Sequence, residues 1–398
     1  MKDIVRISNF SGSLTESGNG RFTYICRELS KNNRVELITS DFIHGKKERR
    51  SGLTEELPFM VTFVHEPGYK KNVSLRRFYS HYVWGLNVKR YLEGREAPDV
   101  IYCAIPSLTA ALYASGYCKR KNVKLIIDIQ DLWPEAFKMV FNVPVVSDLI
   151  FFPFSVIANK IYRSADEIIA VSDTYIERAL SVNKKCSVGH TVFIGTRLET
   201  FDEGAVKEPL IRKPSGEIWL GYCGSLSVSY DIPTLIKAVR LLNEKGTTNI
   251  KLIIMGDGAY RQQYETLASD EGVDAVFTGK LPYNVMCAQL KECDVAINPI
   301  KGGSAASIIN KHSDYAASGL PVLNSQDSDE YRKLIDDYGM GLSCKNEDPA
   351  DMAQKLEILI LDEKKRIAMG QNARRCAEEK FDRKRSYAKI YSIILGEA

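Results

Sequence analysis

The 398-residue sequence predicts an α/β protein built as two doubly wound parallel-sheet domains. Three observations carry this. Short β-branched runs alternate with helical patterns from end to end, the rhythm restarts near residue 218, and a polar stretch at 198–216 separates the two runs. Strands that alternate with helices of 10–15 residues imply parallel sheets covered on both faces. In the first half the strands are expected at 4–8, 35–39, 60–64, 100–104, 123–129 and 167–171. Helical spacing fills the gaps, as at 20–31, where Phe22, Ile25, Cys26 and Leu29 share one face. In the second half strands are expected at 218–223, 250–255, 275–278, 295–298 and 321–323. The boundaries read as 1–196, 197–378 and a C-terminal helix over 379–398 that packs back on the first domain.

Composition narrows the function classes. Hydrophobic residues at 44% and charged residues at 26% are ordinary globular values, which excludes disordered and fibrous classes. Charge breaks the first residues too early for a signal peptide, and no apolar run reaches the length of a membrane span. Nine scattered cysteines and five dispersed histidines give no Cys-x-x-Cys pair and no metal-ligand spacing. A cytoplasmic protein without bound metal or cofactor, and without a nucleic-acid partner, is expected. Net charge is +4, yet residues 1–200 carry +7 and the remainder −3. Residues 67–95 hold seven basic side chains against Glu93, together with Tyr69, Phe78, Tyr79, Tyr82, Trp84 and Tyr91. Such a segment is either a helix with a buried aromatic stripe or a face that touches the inner surface of a membrane. The apolar run 150–157, followed by Lys160 and Arg163, poses the same choice between core helix and bilayer contact, and core is preferred.

Open parallel sheets collect ligands beyond the carboxyl ends of their strands. The richest such place is residues 298–322, where a buried strand runs into Gly302-Gly303-Ser304 and then a helix ending at Gly319. Glycines admit close backbone approach, and a helix start adds positive dipole, which together suit a diphosphate. Lys311 and Asp314 lie three apart on that helix, so an ammonium beside phosphates and a carboxylate beside ribose hydroxyls would grip a nucleoside diphosphate.

The pattern Lys311-x-x-Asp314-Tyr315-x-Ala317-x-Gly319-x-Pro321-Val322 resembles the donor-site signature of family 4 retaining glycosyltransferases of GT-B fold, and other segments agree in order. Gly18-Asn19-Gly20 resembles the N-terminal glycine loop. Asp131-Leu132-Trp133-Pro134-Glu135 resembles a motif of members that build bacterial cell-surface polysaccharides, and 165–172 the last strand of the first domain. Met255-Gly256-Asp257-Gly258 and Val276-Phe277-Thr278-Gly279-Lys280-Leu281 resemble two C-domain strand ends, the second cupping the base.

The resemblance implies an N-terminal acceptor-side and a C-terminal nucleotide-sugar-binding Rossmann-like domain facing across a cleft. It implies transfer of a sugar, from UDP by default, to a saccharide or lipid-linked saccharide, with retained configuration and no metal. Asp314 would bind ribose, Lys311 the phosphates, Lys280 and Leu281 the base, and Gly18, Asn19 and Gly20 the diphosphate or sugar. Gly256, Asp257, Gly303, Ser304 and the loop carrying Ser225, Leu226 and Tyr230 complete the donor wall.

Departures are also visible. The position of the family's first acidic residue holds Ala306, and hydroxyls of Ser225 and Tyr230 stand where relatives place cations. Arg197 or Lys301 would supply the missing charge. Asp131 is the candidate catalytic base facing the acceptor, or else a cap of the next helix. Trp133 reads as core, and Asp327-Ser328-Asp329 reads as a helix cap rather than a metal site. The alternatives to a transferase are a degenerate GT-B subunit that binds nucleotide or a partner without turnover, and a sugar-nucleotide epimerase.

Overall fold

The computed structural model describes all residues except 13, 16–19, 54, 73, 141–145, 248, 304–306 and 398, together with the side chains of 138–140 and 146. Gly18, Asn19, Ser304 and Ala306 therefore lie outside the described residues. The chain divides into two compact units, Met1–Val192 with Tyr387–Ala398, and Phe193–Ser386.

The first unit contains β1 (Asp3–Ser8), β2 (Arg34–Ser40), β3 (Phe42–Ile43), β4 (Glu48–Arg49), β5 (Met60–Val64), β6 (Val100–Ile105), β7 (Lys124–Ile129), β8 (Glu167–Ala170) and β9 (His190–Thr191). Seven of them form one sheet in the order β5-β2-β1-β6-β7-β8-β9, parallel throughout. Central strands read as unbroken apolar runs because helices cover both faces. β1, β6 and β7 are buried nearly end to end. The helix Ala388–Leu395 buries Ile390, Ile393 and Ile394 in the same core as Ile4, Leu37 and Tyr102.

The second unit contains β10 (Ile218–Cys223), β11 (Ile250–Met255), β12 (Ala275–Gly279), β13 (Val295–Asn298), β14 (Val322–Asn324) and β15 (Gly341–Ser343). These form a parallel sheet in the order β12-β11-β10-β13-β14-β15. In both sheets the order reverses beside the first strand, between β1 and β6 and between β10 and β13. Ligands collect outside the carboxyl ends at such a switch point.

Differences from the sequence reading are local. Residues 198–205, expected within a polar linker, form the helix Leu198–Ala205, which buries Leu198 and Phe201 in the second core. Two anchoring side chains suffice on so short a helix, and polar residues cover the rest. The β3–β4 hairpin and the edge strands β9 and β15 are two or three residues long. Strands that short carry no readable period. In the apolar run near 150, Phe151 is buried while Ile150, Phe152 and Val156 are exposed, with Leu149 just before them.

Candidate functional site

In the second unit the helix Asn310–Ser318 starts at the switch point and ends on Gly319, whose φ of +69° suits a left-handed cap. Tyr315 fixes this helix to the sheet: its hydroxyl donates to the Ile297 carbonyl (2.9 Å) and accepts from the Cys223 N–H (3.0 Å). Lys311 is thereby turned inward, 7% exposed, and its Nζ has no hydrogen-bond partner among the described residues. It lies 3.8 Å from the ring centre of Tyr230 and 4.2 Å from that of Tyr222. Ring faces attract a desolvated cation by about 2 kcal/mol, but they do not replace lost hydration. Burial accordingly lowers the Lys311 pKa to about 7. Gly224, with φ +147°, borders the ammonium; a Cβ there would stand 2.9 Å from Nζ.

Asp314 points elsewhere. Its Oδ1 accepts from the Tyr283 hydroxyl at 2.8 Å, and Tyr283 shares a 2.8 Å hydrogen bond with Thr196. Burial raises its pKa to about 6, against the hydrogen bonds from Tyr283 and Thr196 and the charge of Arg383. Among the described residues no ion pair joins Lys311 to Asp314.

The loops after β10 and β11 place Leu226, Gly256 and Tyr230 in packing roles. Leu226 is fully buried; its N–H donates to the Asp257 carbonyl (2.9 Å) and its carbonyl accepts from the Tyr260 N–H (3.3 Å). Gly256 is a packing glycine, because a Cβ there would fall 1.7 Å from the Gly224 carbonyl oxygen. Tyr230 offers its ring to Lys311 where a hydroxyl donor was expected. Ser225 is exposed, and its carbonyl accepts from the Tyr222 hydroxyl (2.7 Å). Asp257 and Lys280 are exposed at the ends of β11 and β12, and Leu281 packs on the core. Gly303 is exposed at φ +69°, Lys301 is half-buried, and Arg197 precedes the helix Leu198–Ala205.

A polar cluster beneath this loop had no recognisable motif in the sequence. Asn298 Nδ2 lies 2.7 Å from Asn324 Oδ1, 3.2 Å from Gln326 Oε1 and 3.0 Å from His312 Nε2. Gln326 Nε2 donates to the Ser307 carbonyl (2.8 Å), and His312 Nδ1 accepts from the Ile309 N–H (3.2 Å). His312 also stacks on Tyr331 at 3.5 Å. Burial, with Lys311 adding to it, keeps His312 well below its ordinary pKa and so neutral. The cluster holds the described flanks of the Gly302-Gly303 loop. Its only trace in the sequence is the polar residues, Asn298 and Asn324, that end two buried strands.

In the first unit Asp131 follows β7, half-buried, and accepts from Trp133 Nε1 at 3.2 Å. Burial raises its pKa, against the hydrogen bonds of Trp133 and Leu132 and the charge of Arg77. That favours a carboxylate able to take a proton. Arg77 lies over the Trp133 ring at 4.8 Å. Trp133 is core, 5% exposed. Gly20 is the N-cap of the helix Arg21–Ser30 and makes no side-chain cap bond. Ser328 caps the helix Asp329–Tyr338, and Asp327 accepts from Asn346 and lies near Arg332.

Comparison with known proteins gives this geometry its context. Residues 208–376 match the family described as glycosyl transferases group 1. A protein of Methanocaldococcus jannaschii described as an uncharacterized glycosyltransferase is 25% identical over 62% of this chain; the match spans 64% of that relative's length. The putative glycosyltransferase EpsD of Bacillus subtilis is 24% identical over 75% of this chain and 77% of its own. Among solved structures, sucrose-phosphate synthase from Thermosynechococcus elongatus superposes with a TM-score of 0.76 at 16% identity, covering all of both chains. Anabaena HepE in complex with UDP gives 0.71 at 15% identity, again over all of both chains. WaaG, a glycosyltransferase involved in lipopolysaccharide biosynthesis, gives 0.69 at 15%, covering 99% of this chain and all of its own. The chain thus has the GT-B fold of these structures, and its residues 208–376 are similar to the glycosyl transferases group 1.

Proposed function

We propose that the protein transfers a sugar from a nucleoside diphosphate sugar, UDP-linked by preference, to a saccharide acceptor with retention of configuration. The observation that carries this is the Lys311 side chain, unpaired among the described residues and buried behind Gly224 at the switch point of the second sheet. A diphosphate is the natural partner for such a charge. On cleavage the leaving diphosphate gains negative charge, and a fixed cation with nearby backbone N–H groups stabilises it without a metal. Asp314 would take the ribose hydroxyls while Tyr283 and Thr196 hold its carboxylate in place. Asp131, with its raised pKa, would accept the proton of the incoming hydroxyl.

The part of WaaG in lipopolysaccharide biosynthesis supports a further reading, that the acceptor belongs to a surface polysaccharide, and we take it to be lipid-linked. Among the described residues no helix is long and apolar enough to cross a membrane, so the enzyme would reach such an acceptor from the side. Calorimetric titration with UDP-, GDP- and dTDP-sugars tests the donor assignment. One of them should bind the wild type and bind Lys311→Met at least about tenfold more weakly; equal affinity would overturn the assignment.

A further inference from the structure

A second charged site stands in the first unit. The β3–β4 hairpin, residues 67–71 and the start of the helix Leu75–Glu93 enclose an open cavity of about 610 Å³. Lys47, Arg49, Lys70, Lys71 and Arg76 line it, against the single carboxylate of Glu48. Glu48 is drawn off by Lys46 (3.5 Å), and Arg49 is balanced by Asp41 (2.6 Å). The other four cations have no carboxylate partner among the described residues. Lys47 Nζ donates to Asn72 Oδ1 (2.6 Å), lies 3.1 Å from His44 Nδ1 and stands 4.8 Å from the Tyr69 ring centre, and Arg76 Nε donates to the Gly68 carbonyl (3.3 Å). Burial, then the neighbouring Arg77 charge, lowers the Lys47 pKa. The buried carboxylate Glu66 is taken up by Asn9, Ser40 and Ser80. Four uncompensated cations around one concavity repel one another, and a multivalent anion relieves that repulsion.

The cavity is also connected to the candidate base. Tyr69 forms part of its wall, and Arg77 Cζ lies 5.6 Å from the Tyr69 ring and 4.8 Å from the Trp133 ring, whose Nε1 holds Asp131. Two side chains therefore link the basic cavity to Asp131. Beside the cavity Leu75 (87% exposed) and Tyr79 project from the helix that carries Arg76.

We propose that this cavity seats the phosphate or diphosphate group of the acceptor, with the receiving hydroxyl toward Asp131. The assignment rests on the transferase reading and adds a substrate class to it: the acceptor is a phosphate-bearing saccharide. The same chemistry could come from a lipid-linked or a free sugar phosphate.

Inorganic pyrophosphate is the probe, titrated calorimetrically into the full chain with UDP present in excess. Lys70→Ser/Lys71→Ser and Arg76→Ser change exposed side chains and leave the core intact. Pyrophosphate should still bind the wild type when UDP is present, with affinity falling about tenfold or more in the triple variant while UDP affinity is unchanged. Pyrophosphate that is displaced by UDP, or that binds the triple variant as well as the wild type, would overturn the proposal. Phosphatidylglycerol vesicles that displace the probe would assign a lipid-borne phosphate, and vesicles that do not would assign a soluble one. Pyrophosphate bound at this cavity in a protein that binds no sugar nucleotide would sink the donor reading and leave the anion site standing.

Discussion

Each unit buries charge, and the two do so in opposite ways. In the first, Asp128 is fully buried between Arg6 (3.2 Å) and Arg21 (3.3 Å) and accepts from the Tyr102 hydroxyl at 2.5 Å. Arg6 lies between the rings of Phe22 (4.2 Å) and Tyr102 (3.8 Å), and Arg21 gives further bonds to the Val192 carbonyl and the Tyr387 hydroxyl. Burial pushes the Asp128 pKa up, but the two guanidiniums and the hydrogen bonds outweigh it and hold the carboxyl below its ordinary value. In the second unit, Lys311 is buried with no hydrogen-bond acceptor among the described residues. A buried charge with complete partners fixes a fold, here by tying β1, β7, the helix Arg21–Ser30 and Tyr387 together. A buried charge without partners is costly to the free protein, and a ligand that supplies them recovers that cost.

The sharpest way to break this contrast is to remove a partner from the complete cluster. Asp128→Ala leaves two guanidiniums uncompensated, so urea denaturation should show a loss of about 3–5 kcal/mol, with the first unit unfolding early. Lys311→Met should do the reverse, leaving the thermal midpoint unchanged or raised while nucleotide affinity falls about 10- to 100-fold. A large destabilisation by Lys311→Met would return that lysine to a structural role.

Smaller effects follow from titration. The Lys311 pKa falls from 10.5 to about 7 on folding, so the unfolded chain holds more protons between those values. Its contribution to stability is complete above 10.5 and is lost as pH falls through about 7. Asp314 is shifted the other way, from 3.8 to about 6. Its contribution is complete below 3.8 and is lost as pH rises through about 6. Denaturation followed from pH 4 to 10 should lose the upper slope in Lys311→Met and the lower slope in Asp314→Asn. The smallest change is expected from Tyr230→Leu, which removes one ring from the ammonium. Its cost should be about 0.5–2 kcal/mol, seen as a change in nucleotide affinity of about 2- to 30-fold.

Much of the architecture was legible because it is written in local patterns. The apolar runs that became β1, β6, β10 and β11 are long and uninterrupted, and Gly319 closes the helix that its position announces. The helix Leu198–Ala205 was hidden because only Leu198 and Phe201 anchor it among charged neighbours. Lys311 and Asp314 stood out by their spacing on one helix, but their orientation did not, since Tyr222, Tyr230, Tyr283 and Thr196 come from other elements. The same holds for Arg6, Arg21 and Asp128, which meet across more than a hundred residues of chain. Local periodicity cannot bring such residues together; only the strand order does.

Lys311 as counter-ion of the donor diphosphate is the centre of this account, and proton uptake tests it most directly. UDP would be titrated calorimetrically into the wild type and into Lys311→Met at pH 8, each in two buffers of different ionisation enthalpy. Tyr222, Tyr230, Cys223 and His312 surround the Lys311 amine and carry no negative charge at that pH, and the Asp314 carboxylate is turned to Tyr283. A bound diphosphate should therefore draw a proton onto Lys311, with uptake approaching one per nucleotide in the wild type and none in the variant. A binding enthalpy that is the same in both buffers, with equal affinity in the two proteins, would contradict the account.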